Sequence, residues 1–286
     1  MTDFLLFLQS FSTPLLDNIF LFISSLTGEI VYIAVVCAIY WCVNKNKGII
    51  AAITLVFSFS LNTVLKNIFA VPRPYTYSAV RQIDTSTGYG YSFPSGHAQL
   101  STTFAGLGMI NIRKKAMYII GILLIILTGI SRMYLGVHTP LDIAVGYILG
   151  TAVIFISNIL FNHEEHKTAA AIVLFIINVI ILIFIKDKDL TSITFLFAGC
   201  ITGLLLEERF IRFDVSGSCK AKIGRYIMGM IALFAVKYIS GFLGKRISYV
   251  FVGFTITFLV PALSVFVKRF MASPDIQKKN CVVQIL

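Results

Sequence analysis

AMYIIGILLIILTGISRMYLGVHTPLDIAVGYILGTAVIFISNILF, residues 116–161, holds two apolar runs joined by a short connector that carries Arg132, His138 and Asp142. A helix rises about 1.5 Å per residue, so roughly 20 apolar residues cross the ~30 Å hydrocarbon core of a bilayer. The runs at 116–131 and 140–161 approach that length. Thr139-Pro140-Leu141-Asp142 opens the second run with a capping hydroxyl, a first-turn proline and an acid at the third position. This is the pattern of a membrane hairpin whose polar residues gather at one boundary.

The pattern continues on both sides. Further spans are expected at 28–43, 49–65, 97–112, 168–186, 190–206, 223–243 and 247–267. The chain is 57% hydrophobic and 13% charged, with a mean hydropathy of +0.88. A soluble chain of this length carries roughly a quarter of its residues charged. The expected fold is an all-α integral membrane protein, a polytopic helix bundle of about nine transmembrane helices. Residues 4–25 are expected to lie on the interface, because Asp17 interrupts their apolar run, with Thr13 capping a helix that starts at Pro14.

Lysine and arginine placement gives the expected orientation. With the 66–97 loop outside, fifteen of the 24 Lys and Arg fall inside, eight fall outside and Lys237 falls within a span. The polar face is thus expected to be extracytoplasmic or lumenal, with a cytoplasmic C-terminus. The net charge of +11 fits attraction to anionic lipid headgroups rather than binding of nucleic acid. Five cysteines without metal-ligand spacing imply neither a disulfide framework nor a metal site; Cys37, Cys42 and Cys200 are expected as packing residues within spans. The N-terminus lacks the basic region of a cleavable signal peptide. Two Gly-x3-Gly pairs, Gly146/Gly150 and Gly199/Gly203, allow close helix approach.

Three short segments carry the chemistry. Lys66 ends an apolar helix and Arg73 follows between Pro72 and Pro74, so the helix stops before it. Each cation alone reads as an interfacial anchor. Pro94-Ser95-Gly96-His97 is a loop entering a helix: Ser95 caps, Gly96 admits close backbone approach, and the unpaired amides make an anion site beside His97. In the third segment Asp142 stands four residues after His138, close enough to fix its tautomer and leave the other ring nitrogen as a nucleophile. A capping box explains Asp142 alone, but not Arg132 and His138 at the same boundary. Three cations, two imidazoles and a carboxylate on one membrane face suit the holding of a phosphate and its transfer through histidine. Elsewhere, Tyr75, Tyr77, Tyr89 and Tyr91 are expected as an aromatic belt, with a substrate lid as the alternative. Arg81 and Asp84 are expected at the loop surface, with headgroup contacts as the alternative, and Glu207 to Lys222 as a solvated loop. Lys237 is either functional or a snorkelling anchor.

These segments resemble the signature of the type 2 phosphatidic acid phosphatase family, which includes glucose-6-phosphatases and vanadium haloperoxidases. All of the family's motif positions are matched within about residues 62–142. The resemblance implies a phosphatase core over residues 1–161 and additional C-terminal helices over 162–286. It implies His138 as nucleophile, oriented by Asp142, and His97 as general acid and base. Lys66, Arg73, Ser95, Gly96 and Arg132 are then the phosphate ligands, with no metal and no cofactor. The implied substrate is a phospholipid or isoprenoid phosphate: phosphatidate, phosphatidylglycerophosphate, a sphingoid-base phosphate or a polyprenyl diphosphate. A sugar-phosphate phosphatase is the second enzyme class that fits. A lipid transporter or scramblase would use the cations for headgroup binding, but binding alone needs no nucleophile with its orienting acid.

Overall fold

The computed structural model describes residues 2–161 and 166–271, and its regular structure is all helical. Helices run α1 Thr2–Ser10, α2 Pro14–Leu26, α3 Glu29–Ala38, α4 Lys45–Phe69, α5 Gly96–Ile112, α6 Lys115–Tyr134 and α7 Pro140–Leu160. They continue as α8 Lys167–Phe184, α9 Lys188–Leu206, α10 Cys219–Ser240, α11 Lys245–Phe254 and α12 Val260–Met271. π-helical turns extend α3 over Ile39–Val43, extend α9 over Glu207–Ile211 and join α11 to α12 over Thr255–Leu259. Cys281 lies outside the described residues.

Seven helical segments among the described residues are long and apolar enough to cross a bilayer, and an eighth arises if α2 and α3, bent by 43°, form one broken span. The chain is a polytopic helical membrane protein, with seven or eight candidate spans among the described residues where about nine were expected. The run at 97–112 forms α5, of 17 residues, which buries Gln99, Ser101, Thr102 and Thr103 and is short of the span length. The run at 28–43 reaches span length only together with α2. Thr13 does cap α2, accepting from the Leu16 amide, with Pro14 at the first position. Asp17, read as an interruption, accepts from Tyr134 Oη at 2.6 Å and Arg81 Nη2 at 2.9 Å, so its charge does not force α2 away from the bundle.

Two compact units share the chain: Met1–Val36 with Ile49–Leu190, and Cys37–Gly48 with Thr191–Leu286. In the first, α5 packs between α6 and α7. A Cβ on Gly146 or Gly150 would fall 2.8 Å from the Ser95 carbonyl or 2.6 Å from the Gln99 carbonyl, so this pair lets α7 lie against the start of α5. In the second unit, a Cβ on Gly199 would meet the Val250 carbonyl at 2.0 Å. Both small-residue pairs therefore serve contacts within the chain. The stretch after α9 differs from the solvated loop expected: Glu207 is fully buried, accepts from Lys45 Nζ and caps the Phe213 amide, and α10 already begins at Cys219. Lys237 is exposed, with Nζ 3.6 Å from the Tyr249 ring centre, a cation–π contact.

Candidate active site

The first segment is set by the end of α4. Asn62 donates to Gln99 Oε1 at 2.9 Å and to the Pro94 carbonyl at 3.3 Å, which ties α4 to the start of α5. One turn later Lys66 Nζ donates to the Tyr91 carbonyl at 2.6 Å. The helix ends at Phe69, ahead of Pro72, and Arg73 turns inward and is buried. Its Nε and Nη2 reach the Tyr89 carbonyl at 3.1 and 2.6 Å, and Nη1 reaches the Val137 carbonyl at 2.9 Å. The 74–93 loop thus supplies backbone acceptors for both cations. Of the four tyrosines expected as an aromatic belt, Tyr77, Tyr89 and Tyr91 are exposed, with the Tyr89 hydroxyl donating to Asp189 Oδ2 at 2.9 Å. Tyr75 instead packs against the Tyr134–Leu135–Val137 cluster with its hydroxyl on the Gly88 carbonyl at 2.7 Å.

The third segment folds back onto the first. After α6 ends, Gly136 adopts φ +76°, and a Cβ there would fall 2.2 Å from the Arg81 carbonyl. That turn requires glycine. It returns the chain so that His138 is 1% exposed beside Arg73, whose Nη1 lies 3.3 Å from His138 Nε2. A guanidinium only donates, so Nε2 is the acceptor and carries the lone pair, which leaves the proton on Nδ1. Nδ1 faces Ser92 Oγ at 3.4 Å and Asp142 Oδ2 at 3.5 Å. The carboxylate is therefore beside the imidazole but beyond ordinary hydrogen-bond length. Ser92 Oγ donates to the same Oδ2, which also accepts the Thr139 amide at 2.7 Å in the expected capping box. Burial, then Arg73, Lys66 and Arg132, push the His138 pKa well below the usual imidazole value.

The second segment joins these two. Ser95 Oγ accepts from the Ala98 amide, capping α5, and the Ser95 amide donates to the Asp142 carbonyl at 3.1 Å. The starts of α5 and α7 are thereby locked together, with Gly96 beside Asn62. His97, in the first turn of α5, is half-buried within electrostatic reach of Arg132, His138 and Lys66.

Arg132 is fully buried at the end of α6. Nη1 donates to Ser24 Oγ at 2.6 Å, Asp84 Oδ2 at 2.8 Å and Thr87 Oγ1 at 3.0 Å. Nε and Nη2, the two nitrogens of the side-on edge, have no partner among the described residues. Asp84 corrects the sequence expectation: it is 2% exposed, where a surface position was anticipated. Burial opposes its charge, but the Thr87 hydroxyl and amide, Arg132 and Ser86 outweigh that and hold its carboxyl below the usual carboxylate range. Arg81 is exposed as expected, although paired with Asp17. All eight expected site residues lie in the first unit, and the contacts above link the three segments into one cluster. Sequence reasoning missed Asn62, Ser92, Asp84 and Ser24, which pair with these groups.

Residues 47–165 match the PAP2 superfamily, and residues 192–273 match the superfamily's phosphatase transmembrane extension. An undecaprenyl-diphosphatase from Sulfolobus acidocaldarius is 33% identical over 143 residues, covering 50% of this chain and 69% of the relative. The chain belongs to the PAP2 superfamily. It is a membrane lipid phosphate phosphatase of that superfamily, a phosphoric monoester or diphosphate hydrolase. A lipid A 4'-phosphatase of Bacteroides thetaiotaomicron is 28% identical over 163 residues, covering 52% of this chain and 71% of the relative. The sphingosine-1-phosphate phosphatase 2 of Mus musculus is 29% identical over 142 residues, covering 48% and 40%. All three polar segments of this PAP2 protein fall inside residues 47–165.

Proposed function

We propose that this PAP2 phosphatase hydrolyses a lipid-linked phosphate monoester or diphosphate through a phosphohistidine on His138, without a metal, at the extracytoplasmic boundary of the membrane. The observation that carries the proposal is the chain Asp142–His138–Arg73. A carboxylate and Ser92 hold the proton on Nδ1, and Nε2 presents its lone pair beside a guanidinium nitrogen at 3.3 Å.

In the first step Nε2 attacks phosphorus in line, and the bond from phosphorus to the lipid-side oxygen breaks as His97 gives that oxygen a proton. In the second step His97 takes a proton from water, which attacks the phosphohistidine. The N–P bond then breaks, returning the electron pair to Nε2 and releasing phosphate. Lys66, Arg73 and Arg132, with Ser95 and the Gly96 amide, neutralise the equatorial oxygens, where charge accumulates in the transition state. The open Nε–Nη2 edge of Arg132 has the shape of a bidentate phosphate ligand.

Relatives that act on undecaprenyl diphosphate, lipid A and sphingosine 1-phosphate support a headgroup attached to a long apolar chain, with polyprenyl diphosphate first among the candidates. The excess of Lys and Arg on the opposite side supports the extracytoplasmic assignment. The test is phosphate release by detergent-purified protein from polyprenyl diphosphate, phosphatidate, phosphatidylglycerophosphate, sphingoid-base phosphate and glucose 6-phosphate, with and without EDTA. Release from one or more lipids, unaffected by EDTA, is expected. Preference for glucose 6-phosphate, or loss of activity in EDTA, overturns the proposal.

A further inference from the structure

Arg132 is gripped by residues outside the three segments. A carboxylate that pairs with arginine for stability commonly takes two nitrogens at once, because the fork geometries match. Asp84 instead meets Nη1 at 2.8 Å, beside Ser24 Oγ at 2.6 Å and Thr87 Oγ1 at 3.0 Å, and the Nε–Nη2 edge is left without a partner. Asp84 is itself immobilised. Its Oδ1 accepts the Ser86 amide at 2.9 Å, the Ser86 hydroxyl at 2.8 Å and the Thr87 amide at 3.0 Å, and its Oδ2 accepts the Thr87 hydroxyl. Ser24 is equally fixed, because α2 is fastened to α6. Ser131 Oγ donates to the Phe20 carbonyl at 2.8 Å, Tyr134 Oη donates to Asp17 at 2.6 Å, and the Phe20 and Tyr134 rings pack at 4.3 Å with a 33° tilt.

The grip also has an electrostatic consequence. Lys66, Arg73 and Arg132 lie close enough to act on one another, and a bare phosphate site would force three cations together. Asp84 is the carboxylate in ion-pair contact with Arg132, so it offsets part of that repulsion without covering the Nε–Nη2 edge.

We propose that Asp84 and Ser24 are positioning residues for phosphoryl transfer, holding Arg132 by Nη1 so that its Nε–Nη2 edge is presented to the phosphate, an inference resting on Arg132 being a phosphate ligand. Ser24 lies outside residues 47–165. The N-terminal helix α2 is then part of the support of the phosphate site, as well as a membrane segment.

The test uses the full chain in detergent and the variants Arg132→Lys, Asp84→Asn, Ser24→Ala, Ser24→Thr and Asp84→Asn combined with Arg132→Lys. Turnover of the best lipid substrate is measured alongside inhibition by orthovanadate, and thermal unfolding and size exclusion report folding. Arg132→Lys and Asp84→Asn are each expected to lower kcat/KM on the order of 10²-fold, since a misplaced group costs about that much. Orthovanadate inhibition should weaken in parallel. Ser24→Ala should show a smaller loss of the same kind, with Ser24→Thr restored, and the double variant should be no worse than Arg132→Lys. The proposal is overturned if folded Asp84→Asn and Ser24→Ala keep wild-type turnover and vanadate inhibition while Arg132→Lys loses both. It is equally overturned if the Asp84 and Arg132 losses add in full. Should Asp84→Asn fail to fold, the contrast of Ser24→Ala with Ser24→Thr decides. Wild-type activity in Arg132→Lys would instead remove the phosphate-ligand assignment itself.

Discussion

The two compact units differ in how completely they pair their buried charges. In the second, every described charge that is buried finds closure. Arg225 donates to the carbonyls of Trp41 at 2.6 Å and of Val215 and Ser216 at 3.1 Å, and its guanidinium lies 4.9 Å from the Phe213 ring centre. Glu207 is shared between Lys45 and the Phe213 amide. In the first unit, Arg132 is the one charged side chain among the described residues with buried nitrogens that lack a partner, and Arg73 aims a donor at an imidazole lone pair. A buried polar group left unpaired costs about 1–3 kcal/mol, and more when charged. Such a cost persists where a ligand supplies the missing partner. Incomplete pairing thus singles out Arg132, whereas Arg73 and Lys66, the other two cations of the proposed phosphate site, already donate to backbone carbonyls.

The largest effect that comparison predicts lies at His138. His138→Asn preserves approximate size and one amide hydrogen bond but removes the ring nucleophile. Turnover should fall on the order of 10⁴-fold or more, measured as phosphate release from the preferred lipid, while the unfolding temperature stays near wild type. Substantial turnover in the purified variant would show that the unpaired charges serve something other than histidine phosphorylation.

Much of this site was legible in the residues themselves. The caps at Ser95 and Thr139 and the helix stop before Arg73 follow from local rules that operate within a few residues. The apposition of α5 and α7 at Gly146 and Gly150 follows from side-chain size. The residues missed share a different property: their partners are distant in the chain. Asp84 looked like a solvated loop acid because its ion-pair partner, Arg132, is 48 positions away. Ser92 gave no signal, since a serine in an aromatic loop acquires meaning only when Asp142 arrives 50 positions later. Glu207 read as part of a charged loop for the same reason, its lysine being 162 positions upstream. The span count, about nine expected against seven or eight candidates among the described residues, differs chiefly at a borderline run. Apolar length was scored along 97–112, but α5 presents buried Gln99, Ser101 and Thr103 toward its neighbours and stops at 17 residues.

A smaller effect tests the electrostatic side of the comparison. Burial and three nearby cations hold His138 neutral, whereas an unperturbed imidazole titrates near about 6.5. In the proposed mechanism the neutral ring is the nucleophile, so it should stay competent as pH falls through that value. Nitrogen-15 NMR of histidine-labelled protein, assigned through His138→Asn, should show the neutral Nδ1–H tautomer at mildly acidic pH. The sign for stability follows: the unfolded chain takes up a proton near the ordinary value and the native state does not. This group's contribution is therefore complete above the ordinary pKa and declines as pH falls from there toward the depressed native value. A His138 ring that is protonated at or above the ordinary value would break the assignment.

The smallest effect on turnover is expected in the second unit, and it makes the sharpest contrast. Glu207 is fully buried while the Lys45 side chain retains 20% exposure, so Glu207→Gln leaves a lysine that partly recovers its hydration. The glutamine carbonyl can still accept the Phe213 amide, so the loss is mainly that of the ion pair. A broken buried pair costs 3–5 kcal/mol when the remaining charge has no escape, and the exposure of Lys45 reduces this to about 2 kcal/mol. Glu207 makes no contact with the proposed phosphate ligands, so kcat and KM per folded molecule should match wild type while the unfolding temperature drops. Matched thermal unfolding and kinetics on one preparation separate the two quantities. A change in KM for the lipid with little loss of stability would mean that Glu207 also serves substrate binding, and the proposed substrate machinery would not be confined to the first unit.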